Sequence, residues 1–88
     1  MSDIEKKRLY WACRRGMWEL DLLLIPFFKH CFDTLTPNQQ KQFTALLNLP
    51  DPQIYAWLMG QDEVEQKYLT IIKMIKDYAK THPYDTNL

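Results

Sequence analysis

The chain has 88 residues, and its 11 Lys and Arg balance 11 Asp and Glu, so the formal net charge is zero. This length predicts a single domain, and the charge balance argues against a protein that binds nucleic acid through its phosphates. Aromatic residues make up 14% of the chain, enough for a dense core without disulfides.

The two cysteines, Cys13 and Cys31, fall inside apolar helical patterns, which favours free thiols over a disulfide scaffold. His30 directly precedes Cys31, and adjacent helical residues point about 100° apart, so we expect no metal site. The longest apolar run, residues 22–28, is far shorter than the ~20 residues that span a bilayer. The acidic first residues lack the apolar segment of a signal peptide, and we expect a soluble, cytoplasmic protein.

The first predicted helix begins at about Asp3, because Ser2 and Glu5 have the spacing of a capping box. Spacings of seven and eight residues place three apolar side chains on its expected core face: Ile4, Trp11 and Ala12. The helix is expected to run to about Arg14. Gly16 supplies the stop, since glycine takes a positive φ without steric cost.

The second predicted helix starts at about Met17 or Trp18 and continues across Pro26, because its apolar period does not break there. Its expected core face is Leu20, Leu23, Leu24, Phe27, Phe28 and Cys31. A second apolar stripe consists of Trp18, Leu22 and Ile25. It indicates either a central helix buried on two sides or a docking surface, and burial is favoured for Leu22 and Ile25. For Trp18, beside charged residues, the pattern leaves burial and exposure open.

The connection Phe32–Leu35 is predicted to be a loop. A third helix then opens at Thr36, an N-cap residue followed by Pro37 and by Gln39 at the capping-box position. Its expected core contacts are Phe43, Leu46 and Leu47. The helix is expected to end at Leu49 and Pro50.

Two further helices complete the pattern. Asp51-Pro52 opens a short fourth helix that Gly60 caps, with Ile54, Trp57 and Leu58 facing the core. Asp62 with Glu65 is expected to open the fifth and longest helix. Its apolar positions keep helical spacing over about four turns: Val64, Tyr68, Ile71, Ile72, Ile75, Tyr78 and Ala79.

These elements predict an all-α protein, a compact five-helix bundle with short connections. Residues 1–81 form its single helical domain, and residues 82–88 are expected to be a loose C-terminal tail. The chain has no phosphate-binding loop, nucleophile elbow, HExxH or CxxC. Its acidic pairs lie near predicted helix starts, where a role in capping accounts for them. We therefore expect no catalytic residues and no enzyme activity.

The turn between the first two helices differs in kind from the other connections. Within six positions it combines two arginines, a glycine, Met17, Trp18 and Glu19, which include residue types enriched at interface hot spots. A purely structural interpretation is also open: Gly16 caps a helix, Glu19 complements a helix dipole, and Arg15 makes a local salt bridge.

Residues 11–21 read WACRRGMWELD and residues 26–28 read PFF. This pattern resembles the signature of the small bacterial assembly factors that promote covalent flavinylation (FAD attachment) of succinate dehydrogenase. The similarity covers nearly the whole chain, including Asp51-Pro52 and residues 57–59. The family fold, a five-helix bundle, agrees with the fold expected from the periodicity.

The resemblance implies a cytoplasmic chaperone that binds the flavoprotein subunit of succinate dehydrogenase and, as a related client, that of fumarate reductase. FAD would belong to the client, and this chain would bind no cofactor stably. Arg15, Gly16 and Glu19 match the family motif Arg-Gly-x-x-Glu. Arg14, Met17 and Asp21 match the residues around the motif; position 18 is variable in the pattern, and Trp18 is added as an expected apolar anchor. The expected client-binding set is therefore Arg14, Arg15, Gly16, Met17, Trp18, Glu19 and Asp21.

Two rival functions stay open. One is a direct FAD carrier, which would quench flavin fluorescence. The other is an antitoxin-like regulatory module with no role in flavinylation, which would capture other proteins in a pull-down. DNA binding is the least favoured, because residues 36–58 carry Lys41 as their only basic side chain.

Overall fold

A computed structural model describes residues 3–81 of the chain. It contains five α-helices: α1 (Asp3–Cys13), α2 (Trp18–Cys31), α3 (Pro37–Leu46), α4 (Asp51–Leu58) and α5 (Leu69–Thr81). The described residues include no strand, and the predicted all-α five-helix bundle is confirmed. The predicted N-cap at Ser2 and the predicted tail 82–88 lie outside the described residues.

Helix α2 is the central element, since it packs against α1, α4 and α5. Leu20, Leu24 and Phe27 are almost fully buried, as the first apolar stripe predicted, and Ile25 of the second stripe is buried as well. The helix continues through Pro26. Two sides of α2 therefore face other helices. Of the two interpretations of its apolar stripes, the central helix buried on two sides is the one that the structure supports.

The core is built around a cluster of aromatic rings. Phe43 of α3 lies 5.6 Å from Phe27 and 6.2 Å from Phe28, measured between ring centroids. Phe32 lies 5.9 Å from Phe43 and 5.0 Å from Phe28. These separations fall in the range in which aromatic pairs add to the free energy gained by burial.

The predicted starts of α3 and α4 are confirmed. Thr36 Oγ1 accepts a hydrogen bond from the Gln39 backbone N–H at 3.2 Å, and Gln39 Oε1 accepts one from the Thr36 N–H at 3.0 Å. This is the reciprocal capping box that the sequence indicates. Helix α4 ends near Gly60, whose φ of +73° is a conformation that favours glycine.

The predicted core face of α1 is wrong at Ile4 and Trp11, whereas Ala12 is half-buried and packs against the core. Leu9 and Cys13 are the buried side chains of this helix, whereas Ile4 is 66% exposed and Trp11 is 64% exposed. At 100° per residue, Trp11 points about 160° away from Leu9. Because α1 packs mainly against the single helix α2, it buries one narrow stripe; Tyr10 is half-buried against the core, and Ile4 and Trp11 face outward.

The predicted start of the fifth helix is also wrong. Residues 62–65 are not helical; residues Gln66–Tyr68 form one 3-10 turn, and α5 begins only at Leu69. Helix α5, with 13 residues, is one residue shorter than α2. Val64 is half-buried and Tyr68 is buried against Trp57, with ring centroids 5.4 Å apart. Val64 and Tyr68 thus make apolar contacts four residues apart although Val64 lies in an irregular segment. The same spacing is typical of a helix, which is why the sequence pattern predicts one here.

The segment predicted as a loop at Phe32–Leu35 is more ordered than expected. Residues Phe32–Thr34 form a 3-10 turn, and both Phe32 and Leu35 are buried. Their burial fills the space between the end of α2 and the start of α3, so this connection contributes to the core.

Candidate functional site

The turn that joins α1 to α2 comprises residues 14–17. The Arg14 N–H donates to the Trp11 carbonyl at 3.0 Å, and Gly16 then adopts a φ of +79°. A Cβ placed on Gly16 would meet no atom within 4 Å. Glycine is therefore favoured here by backbone conformation alone, and the space around it is open.

Asp21 closes the turn from the other side. Its Oδ1 accepts a hydrogen bond from the Arg15 backbone N–H at 2.7 Å. Asp21 and Glu19 occupy the first turn of α2, where negative charge complements the helix dipole. Met17, in an extended conformation just before the helix, is half-buried and packs against the core.

The Arg15 side chain connects this turn to the segment between α3 and α4. Its Nε donates to Asp51 Oδ1 at 2.6 Å, and its Nη2 donates to the Leu49 carbonyl at 2.9 Å. Its Nη1 donates to the carbonyls of Leu47 at 2.6 Å and Ala12 at 2.9 Å.

The Arg15 side chain is only 15% exposed, and its planar fork matches four acceptors at once. The structural interpretation of the turn predicts a local salt bridge for Arg15. The observed salt bridge is not local, because Asp51 lies 36 residues further along the chain. Arg15 thereby holds the turn against the start of α4.

The remaining charged and aromatic residues of the turn face outward. Arg14, Gly16 and Glu19 are exposed, and Trp18 is 69% exposed, which answers the question that the sequence left open. Trp11 extends this surface: the Arg14 guanidinium carbon lies 5.4 Å from the centroid of its ring, within the range of a cation–π contact.

Sequence reasoning missed Trp11 and Asp51 as parts of this site. The apolar spacing of α1 predicts Trp11 on its core face, and the Asp51-Pro52 pair indicates only a helix start. Both lie in the segments that carry the family resemblance, and that was the available signal. Neither the exposure of Trp11 nor its contact with Arg14 follows from helical periodicity.

The Cys13 thiol lies directly beneath the turn and is fully buried. Burial raises its pKa from 9.0 to about 12; the charge of Arg15 opposes this shift, and that of Asp21 adds to it. A thiol with this pKa stays protonated at neutral pH, so Cys13 is a core residue and not a nucleophile.

Within residues 3–81, the structure brings together no group of three His, Cys, Asp or Glu side chains that would hold a metal ion. In the same part of the chain, no helix combines the length and apolar character needed to cross a membrane. The turn and the adjoining end of α1 display two tryptophans, Trp11 and Trp18, together with Arg14 and Glu19 at the surface.

Comparisons with known proteins point to one family. Residues 7–79 match the family model Sdh5, described as flavinator of succinate dehydrogenase. A Legionella pneumophila (strain Paris) protein named FAD assembly factor SdhE is 52% identical over 77 residues, which are 88% of this chain and 98% of that protein. A Vibrio cholerae protein of the same name is 52% identical over 61 residues, which are 69% of this chain and 71% of that protein.

A solved structure supports the fold. The solution structure of a protein named UPF0350 is 42% identical to this chain and aligns with a TM-score of 0.75. The alignment covers 93% of this chain and 89% of the other.

Proposed function

The chain belongs to the flavinator of succinate dehydrogenase family, and we propose from this premise that it works as an assembly factor for that enzyme. It promotes covalent attachment of FAD to the flavoprotein subunit of succinate dehydrogenase. The observation that carries this proposal is the family match over residues 7–79, which includes the turn, the whole of α2, α3 and α4, and most of α1 and α5.

The client-binding surface of this proposal is the turn between α1 and α2. Arg14, Trp18 and Glu19 are exposed, and the open space around Gly16 lets a partner backbone approach closely. Exposed Trp and Arg side chains suit an interface because both residue types are enriched at hot spots, and hydrogen bonds from Arg15 already hold the backbone that presents them.

The other members of the set support this surface from within. The Arg15 guanidinium donates to four acceptors inside the chain, and Asp21 Oδ1 accepts from the Arg15 backbone N–H. Their role is to hold the turn in one conformation, and Met17 anchors it to the core. Loss of Arg15 would therefore affect client binding through the shape of the turn.

The chemistry takes place in the client. The flavoprotein holds FAD and supplies the histidine that becomes linked to it, and the assembly factor stabilises the client arrangement in which that bond forms. In this proposal the chain contributes no catalytic residue and no stable FAD site, acts in the cytoplasm, and serves the flavoprotein subunit of fumarate reductase as a second client.

The test is covalent flavin fluorescence of the succinate dehydrogenase flavoprotein in cells that lack the factor and receive one variant. Native chain should restore flavinylation, whereas Glu19→Ala and Gly16→Arg should not. Glu63→Ala is the matched control for Glu19→Ala, since Glu63 is an exposed carboxylate away from the turn.

Equal rescue by Glu19→Ala and Glu63→Ala would remove the turn from the proposal. Failure of the native chain itself would refute the assembly function. The direct-carrier alternative predicts that purified chain alone quenches flavin fluorescence, and the proposal predicts that it does not.

A further inference from the structure

Two clefts meet along the outer face of α5. One, of about 230 Å³, lies between α2, α4 and α5 and is lined by Leu23, Leu58, Met59, Lys76, Ala79 and Lys80. The other, of about 390 Å³, is lined by Val64, Leu69, Ile72, Lys73, Lys76, Asp77 and Lys80. Because Lys76 and Lys80 border both clefts, the two form one surface, here called the lysine groove.

The lysine groove combines an apolar floor with positive charge. Leu69 is 49% exposed and Met59 is 43% exposed. Lys73, Lys76 and Lys80 lie at i, i+3 and i+7 of α5, so they line one side of the helix. Among residues 3–81, no carboxylate lies within ion-pair distance of these three ammonium groups, although Asp77 also lines the groove.

The lysine groove is continuous with the turn. Glu19 and Leu23 are four residues apart on α2, so they are neighbours on one face of that helix, and Leu23 lines the smaller cleft. Helix α4 extends from the turn, where its first residue Asp51 binds Arg15, to the cleft, which Leu58 and Met59 line, so both regions lie along this helix.

We propose that the lysine groove binds an acidic segment of the flavoprotein client, so that the client covers both the turn and the outer face of α5. This inference rests on the proposed function. An apolar side chain of the segment enters the smaller cleft, and carboxylates on either side of it pair with Lys76 and Lys80. The smaller cleft is below the usual size of a small-molecule site, about 300 Å³ or more, and suits one side chain.

Charge reversal tests the proposal on the full-length chain. The dissociation constant for purified FAD-loaded flavoprotein would be measured for Lys76→Glu/Lys80→Glu and for a control with the same charge change, Lys7→Glu/Lys41→Glu. Lys7 and Lys41 lie exposed on α1 and α3. Reversal in the groove should raise Kd by about tenfold and weaken the dependence of Kd on salt, since two attractions become repulsions. The control should change Kd by less than about threefold.

Zero-length carbodiimide cross-linking gives a second measurement that does not depend on a variant. In the native complex, Lys76 or Lys80 should form amide bonds with Asp or Glu side chains of the flavoprotein. Cross-links confined to other lysines, together with equal Kd values for the two double variants, would overturn the proposal.

The outcomes separate this inference from the proposed function. If Glu19→Ala weakens binding while groove reversal matches its control, the turn is a client surface and the groove is not. If the native chain does not bind the flavoprotein, both proposals fail. If groove reversal abolishes binding to phosphatidylglycerol vesicles but leaves the flavoprotein Kd unchanged, the groove recognises lipid and the proposal is wrong.

Discussion

Replacement of Arg15 by alanine should destabilise the protein more than its partly exposed position suggests. The substitution removes four donated hydrogen bonds and leaves three backbone carbonyls, those of Ala12, Leu47 and Leu49, without this partner. At about 1 kcal/mol for each carbonyl, the lower end of the range because water can enter the vacated space, the loss is about 3 kcal/mol. The pair with Asp51 adds less than about 1 kcal/mol, since the Asp51 side chain is 33% exposed.

A loss of about 3–4 kcal/mol is a large part of the roughly 5–15 kcal/mol by which small domains are stable. It should lower Tm by about 10–30 °C, at about 4–8 °C per kcal/mol for a domain of this size. Urea unfolding followed by far-UV circular dichroism measures the free energy directly.

Arg14→Ala is the matched control for the Arg15 substitution. Arg14 is the same residue type one position away, is exposed, and contacts the Trp11 ring, so its loss should cost about 0.5 kcal/mol. Arg15→Lys keeps the charge but not the planar fork and should still lose about 2 kcal/mol. If Arg15→Ala and Arg14→Ala differ by less than about 1 kcal/mol, the clamp between the turn and α4 does not stabilise the fold.

Four further predictions concern the two glycines, the cap of α3 and the two thiols. Gly16→Ala and Gly60→Ala should each cost about 1 kcal/mol in urea unfolding, because both residues have positive φ and neither new Cβ meets an atom within 4 Å; a much larger loss at either site would contradict the open space described there. Thr36→Ala should cost about 1 kcal/mol through loss of the capping box, and Thr36→Ser should recover most of it. In the folded chain, an aromatic disulfide reagent should label Cys31, which is half-buried, and reach Cys13 only as fast as the protein unfolds. The raised pKa of Cys13 also means that its contribution to stability is complete below pH 9 and declines as pH rises from 9 towards 12. The difference in unfolding free energy between native chain and Cys13→Ala should therefore shrink over that interval, and a constant difference would refute it.

Much of the fold was predictable because its signals act over three or four residues. The capping box at Thr36, the prolines at the starts of α3 and α4, and the positive φ of Gly16 and Gly60 each depend on immediate neighbours. The strong apolar period of α2 likewise reports a helix with neighbours on more than one side.

The apolar pattern gave wrong predictions for the buried face of α1 and for the start of the fifth helix, where few helices pack against the segment concerned. Helix α1 has a weak apolar stripe and one main neighbour, α2. Its packing against α2 determines that the Leu9 face is buried and the Trp11 face is exposed. At residues 62–65 the capping spacing of Asp62 and Glu65 was present, but the path of the chain from α4 to α5 and the packing of Tyr68 on Trp57 prevailed over it.

The sequence by itself determined that this protein is a five-helix bundle with a charged, aromatic turn after the first helix, and it supplied the resemblance to the flavinylation factors. Only the tertiary structure decided which side chains of that turn are available to a partner. Arg15 finds three of its four acceptors 32 to 36 residues away, at Leu47, Leu49 and Asp51, and such a partnership exists only after the helices have packed. The same packing leaves Trp11, Arg14 and Trp18 exposed, because the solvent-facing side of a helix is set by the neighbours that cover its other sides.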